Sequence, residues 1–129
     1  MIIGIGSDLI AVDRVRRVHE RHGERFLQRV YSPDERSYCL QAKDPAERLA
    51  ARWAVKEAAM KALGTGWSGG VHFRHIAVAH DRHGAPQLIL TAGALAVANE
   101  KHVTRHHVSL SHADGMAMAF VILESDPVD

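Results

Sequence analysis

Apolar residues recur along this chain with two different periods, which predicts a mixture of strands and helices. The run Ile2–Ser7 is apolar with glycine interruptions, as in a buried strand that ends at a turn, so Asp8 is expected at a strand end. Val12, Val15 and Val18 then recur at helical spacing and predict a first helix. The chain therefore begins with a strand that leads directly into a helix.

Two start signals predict the helices of the central region. In residues 32–35 a serine, a proline and a glutamate form a capping box, so a helix is expected to begin at Pro33. A similar order recurs in residues 44–47, where Asp44 is expected to cap a long helix that stops at Gly64. One long helix and several shorter ones follow from these signals.

The second half of the chain is predicted to be mainly strands. Ile76–His80 and Gln87–Leu90 flank a turn and should pair as a hairpin, and Gly93–Val103 is a modest helix candidate. His107–Ser111 alternates, whereas Met116–Leu123 is apolar on both faces, as in a central strand covered on both sides. The pattern predicts the α+β class, with an antiparallel-rich sheet packed with the helices.

Composition narrows the class of protein. A chain of 129 residues is long enough for one core, so residues 1–129 are predicted to form a single domain. Sixteen basic and fifteen acidic residues nearly cancel, which argues against nucleic acid and anionic membranes as partners. Cys39 has no cysteine to pair with, and no apolar run reaches membrane-spanning length. We therefore expect a soluble cytoplasmic protein without a membrane partner.

The long helix carries the first candidate chemistry. Glu57 and Lys61 lie four positions apart on one face, among small side chains that would let another backbone approach closely. They are either a surface ion pair that contributes about 0.3 to 0.5 kcal/mol or half of a site for a metal and a phosphate. The glycine-rich residues 64–70 are open to two interpretations, an anion-binding loop or a simple helix C-cap.

Asp8 would complete a metal site if the fold brings it to Glu57. Two carboxylates about 4 Å apart repel by several kcal/mol, so such a cluster needs a cation or a shared proton. Mg²⁺ suits this donor set because it binds one or two carboxylates together with substrate phosphates. Asp8 is alternatively a turn residue or a helix cap after the first strand. His112, another candidate site residue, is alternatively a histidine at a strand end that bonds to the backbone.

Arginines repeat along one face of the first predicted helix. Arg14, Arg17 and Arg21 are spaced by three and four positions and form a basic stripe. The pattern alone favours a solvated helix face over a binding surface.

Four segments in order carry a family resemblance. They read GIGSDLIAVDRV, FLQRVYSPDE, ARWAVKEAAMKALGTG and SLSHADGMAMAFVI. From its first residues to about Glu124 the chain resembles the holo-[acyl-carrier-protein] synthases, the small bacterial type of 4'-phosphopantetheinyl transferase. The resemblance implies the fold of that family and transfer of 4'-phosphopantetheine from coenzyme A to a serine of apo acyl carrier protein, releasing adenosine 3',5'-bisphosphate.

The resemblance also implies roles for individual residues. Asp8 and Glu57 match magnesium ligands, Lys61 matches a lysine beside the pyrophosphate, and Glu57 is the candidate base for the serine proton. Coenzyme A contacts are implied for four further positions, Arg52, Gly64, Thr65 and His112.

The implied partners are an acidic carrier and further copies of the chain. The basic stripe would dock the carrier, with Arg14 matching the docking position most directly, and a homotrimer with active sites between subunits is implied. Trp53 departs from the family pattern, where phenylalanine is common, as do Ala85 and Met116. Two other functions stay open: a catalytically silent module that binds acyl carrier protein or coenzyme A, and a magnesium-dependent phosphohydrolase.

Overall fold

A computed structural model describes residues 1–66 and 68–127. The elements run in the order strand β1 (Ile2–Ala11), helices α1 (Val12–His22), α2 (Glu24–Val30), α3 (Pro33–Leu40) and α4 (Ala46–Leu63), a 3-10 turn (Phe73–His75), strands β2 (Ile76–His80) and β3 (Pro86–Leu90), helix α5 (Ala92–Glu100), and strands β4 (Arg105–Ala113) and β5 (Met116–Glu124). Helices and antiparallel strands thus occur together, which confirms the α+β class.

The strands form two antiparallel sheets. One has the order β1-β5-β4, so β5 is its central strand, as its apolar sequence predicted. The other is the predicted hairpin of β2 and β3, in which Ile76 pairs with Leu90 and His80 with Pro86. Both sheets lie against α4, whose buried residues contribute much of the core.

Glycines let β1 approach α4 at very short range. A Cβ atom at Gly6 would lie 1.8 Å from the carbonyl oxygen of Ala58, and one at Gly4 would lie 2.0 Å from that of Ala62. Any side chain at these two positions would therefore push the strand away from the helix. The expected close approach of a backbone to the small-residue face of α4 is confirmed.

The first strand is longer and more exposed than predicted. Its pairing with β5 continues to Ala11, which lies opposite Met116, so Asp8 lies inside β1 and its expected position at the strand end is wrong. The strand is also covered on one face only, since Ile5 is 65% exposed while Gly6 is buried. Alternation along β1 places even-numbered side chains toward α4 and odd-numbered ones outward.

The central strand β5 is likewise covered on one side in a single chain. Ala117, Ala119 and Val121 are buried, whereas Phe120 is 45% exposed. The prediction that both faces are covered is therefore wrong for one copy of the chain. The outward face of this sheet is an apolar surface, formed by Ile5, Leu9, Met118 and Phe120.

Helix ends follow the sequence signals with two adjustments. The Ser32 side chain accepts from the N–H of Glu35, and α3 begins at Pro33 as predicted. Gly64 ends α4 in the left-handed region, also as predicted, but the helix starts one residue later than Asp44 implied, with Pro45 at the N-cap position. The Asp44 carboxylate still accepts the N–H of Ala46, at 3.2 Å.

The last helix, α5, stops three residues short of its predicted end. His102 has a positive φ of 62°, which the helix cannot contain. Beyond this turn the N–H of Val103 bonds back to the carbonyl oxygen of Ala98, and β4 begins at Arg105.

A buried ion pair joins α3 to α4. The Lys56 ammonium lies 2.8 Å from the Glu35 carboxylate, and both side chains are almost fully buried. Lys56 also donates to the carbonyl oxygens of Phe73 and Ile76, while Glu35 accepts the N–H of Val78. The pair therefore ties the two helices to the start of the β2–β3 hairpin.

Among the described residues, no helix is long and apolar enough to cross a membrane.

Candidate active site

Three predicted site residues meet where β1 crosses α4. Asp8 lies two positions after Gly6 on the face of β1 that approaches the helix, and the contact of Gly6 with Ala58 sets their separation. Glu57 and Lys61 follow one another by one turn on α4. The glycine-mediated contact thus brings Asp8 to both helix residues.

Lys61 bridges the helix to the strand. Its ammonium donates to the carbonyl oxygen of Ser7 at 2.8 Å and lies 3.4 Å from a carboxylate oxygen of Asp8. The Lys61 side chain is about half exposed, so the ion pair alone contributes little to stability. Lys61 therefore hydrogen-bonds to β1 instead of forming the surface ion pair with Glu57 that their spacing allowed.

The surroundings of Glu57 shift the pKa of its carboxyl group. Burial raises the pKa of this carboxyl group, and the neighbouring Asp8 carboxylate raises it further. A hydrogen bond from the indole N–H of Trp53, at 3.3 Å, and the charges of Lys61 and Arg14 act in the opposite direction. The net result is a raised pKa, to which the Asp8 carboxylate contributes after burial.

This donor set fits a hard divalent cation. Asp8 and Glu57 offer two carboxylates where β1 crosses α4, and in the described part of the chain no group of three or more His, Cys, Asp or Glu side chains could hold a metal ion. Two carboxylates are what Mg²⁺ commonly takes from a protein when water and substrate phosphates complete its coordination. A cation at this point would also relieve the repulsion that raises the pKa of Glu57.

The basic stripe lies on the exposed side of α1. Arg14, Arg17 and Arg21 are all exposed, and Arg14 is close enough to Glu57 to affect its pKa. The acid next to Arg14, Asp13, is paired with Arg16 instead. The positive charge of the stripe is therefore not neutralised by its nearest acid, and the stripe lies beside the carboxylates.

A cleft opens beside the stripe. It has a volume of about 970 Å³, and aromatic rings form much of its wall: Trp53 lies 5.5 Å from Phe26 and 5.6 Å from Phe73, centroid to centroid. Arg25 and Arg29 add positive charge at its lining, which also includes the imidazole of His22. The cleft was missed at the sequence level because its rings come from three separate segments.

Arg52 lies away from the carboxylates in a single chain. Lys61 follows it by about two and a half turns, so the two side chains leave α4 on opposite sides. Arg52 is buried, with its guanidinium 4.3 Å from the centre of the Tyr38 ring and 3.3 Å from a ring nitrogen of His80. Its Nε atom is buried without a hydrogen-bond partner among the described residues.

His112 also lies apart from Asp8. Its Nδ1 atom is 3.0 Å from the carboxylate of Glu47, in the first turn of α4. Glu47 precedes Glu57 by about 15 Å along the helix axis. One chain therefore carries two separate groups of predicted residues, with Asp8, Glu57 and Lys61 in one place and Arg52 and His112 elsewhere.

Gly64 and Thr65 form the end of α4. The N–H groups of both residues bond to the carbonyl oxygen of Met60, at 3.0 Å and 3.3 Å. These N–H groups close the helix, which favours the C-cap interpretation over an anion-binding loop for these two positions. Trp67, which belongs to the same predicted loop, lies outside the described residues.

Comparisons with known proteins agree on one family. The family model of the 4'-phosphopantetheinyl transferase superfamily matches residues 4–121. A holo-[acyl-carrier-protein] synthase of Solibacter usitatus is 44% identical over 125 residues, covering 97% of this chain and 100% of the relative.

Solved structures give the same result for the fold. The crystal structure of a holo-[acyl-carrier-protein] synthase from Neisseria meningitidis superposes with a TM-score of 0.89 at 36% identity, covering 97% of this chain and 100% of the other. A synthase from Bacillus anthracis, solved in complex with CoA (3',5'-ADP), superposes with a TM-score of 0.81 at 34% identity, covering 98% and 99%.

Proposed function

The chain belongs to the 4'-phosphopantetheinyl transferase superfamily, and from this membership we propose that it carries out the reaction its relatives are named for, which produces holo acyl carrier protein. The substrates are coenzyme A and apo acyl carrier protein, and the second product is adenosine 3',5'-bisphosphate. The observation that carries the proposal is the convergence of Asp8, Glu57 and Lys61 where β1 crosses α4. The comparisons support a catalyst and not the catalytically silent module, because the full-length relatives are named as synthases.

Asp8 and Glu57 would hold Mg²⁺ beside the pyrophosphate of coenzyme A. When bound there, the ion neutralises pyrophosphate charge and makes the β-phosphorus a better electrophile. The electrostatic effect of Asp8 supports this role, since its carboxylate helps to raise the pKa of Glu57 when no cation is near. Magnesium dependence is thus part of the proposal.

The chain's own side chains would carry the rest of the reaction. The serine oxygen of the carrier forms a bond to the β-phosphorus, and the bond to the bridging oxygen breaks, so adenosine 3',5'-bisphosphate leaves with that oxygen. Glu57 would take the serine proton as the general base. Lys61 places positive charge where the leaving group gains negative charge. Both residues act from the same face of α4.

The basic stripe and the adjoining cleft would dock the carrier. Carriers of this kind are acidic near the modified serine, and a surface of Arg14, Arg17 and Arg21 complements that charge. The aromatic cleft would take an apolar side chain from the same partner, because its rings are adjacent to the stripe. The closeness of Arg14 to Glu57 supports docking that delivers the serine to the carboxylates.

We propose a homotrimer whose active sites lie between subunits. The outward face of the β1-β5-β4 sheet is apolar, as Ile5, Leu9 and Phe120 are substantially exposed in one copy, and association would cover it. A neighbouring copy would also supply Arg52 and His112 as coenzyme A contacts, since both lie away from Asp8 in their own chain. Gly64 and Thr65, the other two proposed contacts, follow Lys61 at the end of α4 in the same chain. The single domain of residues 1–129 and the cytoplasmic location remain predictions.

The test measures release of adenosine 3',5'-bisphosphate from coenzyme A and Mg²⁺, with and without apo acyl carrier protein. A transferase releases the nucleotide only when the carrier is present, in a one-to-one ratio with modified carrier. Equal release without carrier would replace the proposal with the phosphohydrolase.

A further inference from the structure

The tryptophan at position 53 belongs to two surfaces at once. Its ring lies between those of Phe26 and Phe73, at centroid distances of 5.5 Å and 5.6 Å, and forms part of the cleft wall. Its indole N–H, on the other edge, donates to the Glu57 carboxylate at 3.3 Å. The residue therefore contacts both the proposed carrier cleft and the proposed metal ligand.

The helix and the neighbouring rings restrict the position of the indole N–H that makes this hydrogen bond. Trp53 and Glu57 are one turn apart on α4, so the helix sets the separation of their backbones. Packing against Phe26 and Phe73 limits the rotation of the indole and with it the direction of the N–H. A donor held in this way restricts the Glu57 carboxylate to one arrangement.

Other neighbours do not restrain Glu57 by hydrogen bonds. Lys61 directs its ammonium to Ser7 and Asp8, on the strand side. Within residues 1–66 and 68–127, Trp53 is the one side chain that hydrogen-bonds the Glu57 carboxylate, and it engages Oε1. No hydrogen bond to the second oxygen, Oε2, is found within the same residues.

We infer that Trp53 is a positioning residue for Glu57, holding the carboxylate in the orientation that binds Mg²⁺ through an indole whose ring also forms the wall of the carrier cleft. The inference rests on the proposed function, because it takes Glu57 as a metal ligand. Hydrogen-bonding partners of this kind orient ligating carboxylates and affect both metal affinity and rate. Phenylalanine at this position would keep the ring but lack the N–H.

The experiment is Trp53→Phe, with Mn²⁺ as the probe for the Mg²⁺ site. Free Mn²⁺ is measured by electron paramagnetic resonance during titration of the full-length protein, without substrates. We expect the dissociation constant to rise about tenfold, in the range for loss of a hydrogen bond to a metal ligand. In transfer assays at fixed, subsaturating Mg²⁺, kcat should fall by a similar factor. The KM for the carrier should stay within about twofold, because the aromatic wall of the cleft is kept.

Phe73→Leu is the matched control for the ring. It alters the same cleft and the same ring contact but removes no N–H donor to Glu57. It should raise the carrier KM while leaving Mn²⁺ binding within about twofold of wild type, because the N–H donor remains and Phe26 still packs against the indole. Equal loss of Mn²⁺ affinity in both variants would overturn the inference, because ring packing and not the N–H would then position Glu57.

Glu57→Ala separates this inference from the proposed function. If Glu57→Ala loses Mn²⁺ binding while Trp53→Phe binds like wild type, the role of Trp53 is wrong and the metal site stands. If Glu57→Ala itself binds Mn²⁺ normally, the metal assignment is wrong, and the role of Trp53 falls with it.

Discussion

Replacing Lys56 by methionine should destabilise the protein severely although it changes one side chain. The lysine is fully buried and makes three polar contacts, with the Glu35 carboxylate and with the carbonyl oxygens of Phe73 and Ile76. Methionine fills a similar volume but has no donor. The variant therefore keeps the packing of α4 and leaves three acceptors without their cation.

The expected loss follows from what remains buried. Removing one partner of a buried ion pair costs about 3 to 5 kcal/mol, because the other charge stays uncompensated. Glu35 retains the N–H groups of Ser32 and Val78, which places the loss toward the middle of that range, about 4 kcal/mol. Burial lowers the pKa of Lys56, and the neighbouring Glu35 carboxylate opposes part of that shift.

Urea unfolding at pH 7, followed by circular dichroism at one fixed protein concentration, measures the difference. Lys61→Met is the matched control, since it makes the same change on the same helix at a side chain that is about half exposed, and it should cost less than about 1 kcal/mol. If Lys56→Met lies within about 1 kcal/mol of Lys61→Met, the buried pair does not stabilise the fold as argued.

Four further outcomes are expected. Lys61→Met should lower the transfer rate about 100-fold with little change in thermal stability, because it removes charge stabilisation of the leaving group; unchanged initial rates would rule that role out. Arg14→Glu should raise the carrier KM at least about tenfold at low salt, whereas Arg82→Glu, an exposed arginine in the β2–β3 turn, should leave it unchanged. Glu57→Gln should melt at a higher temperature than wild type at pH 7 without Mg²⁺. The folded-state pKa of Glu57 lies above its unfolded value, so ionisation of this group lowers the stability of the folded protein as the pH rises from the unfolded to the folded pKa. Calorimetry should therefore show that the difference in melting temperature between Glu57→Gln and wild type vanishes below about pH 4. Phe120→Asp should convert the proposed trimer to folded monomers in light scattering and abolish transfer, because the ring lies on the exposed sheet face; an unchanged oligomeric state would place the interface elsewhere.

Local signals in the sequence predicted most of the elements. The capping box at Ser32 and the glycine at position 64 fix helix ends through a few neighbouring atoms, and both were found where expected. The small-residue face of α4 predicted the approach of another backbone, and Gly6 shows why, since its missing side chain makes room for Ala58. Such features are encoded within a few residues.

Features that depend on distant partners were not predicted. The extent of β1 is set by its pairing with β5, more than a hundred positions later, so the placement of Asp8 at a strand end was wrong. The hydrogen bond from Trp53 to Glu57 had a visible signal in the four-residue spacing, but its direction depends on rings contributed by Phe26 and Phe73. Sequence periodicity does not specify such contacts.

The grouping of site residues shows the same limit. Motif positions suggested one site, whereas a single chain separates Arg52 and His112 from Asp8. Helical spacing already indicates that Arg52 and Lys61 leave α4 on opposite sides. In a homo-oligomer, Arg52 and His112 of one copy can lie beside Asp8 of another. The sequence pattern of one chain carries no information about such contacts between copies.

The most direct test of the central claim is intact mass spectrometry of apo acyl carrier protein after incubation with this protein, coenzyme A and Mg²⁺. We expect a mass increase equal to one phosphopantetheine group. The increase should be lost with a chelator and with Glu57→Ala, and retained with Glu100→Ala, an exposed glutamate at the end of α5. An unchanged carrier mass, despite measurable binding of the carrier or coenzyme A, would contradict the claim and favour the catalytically silent module.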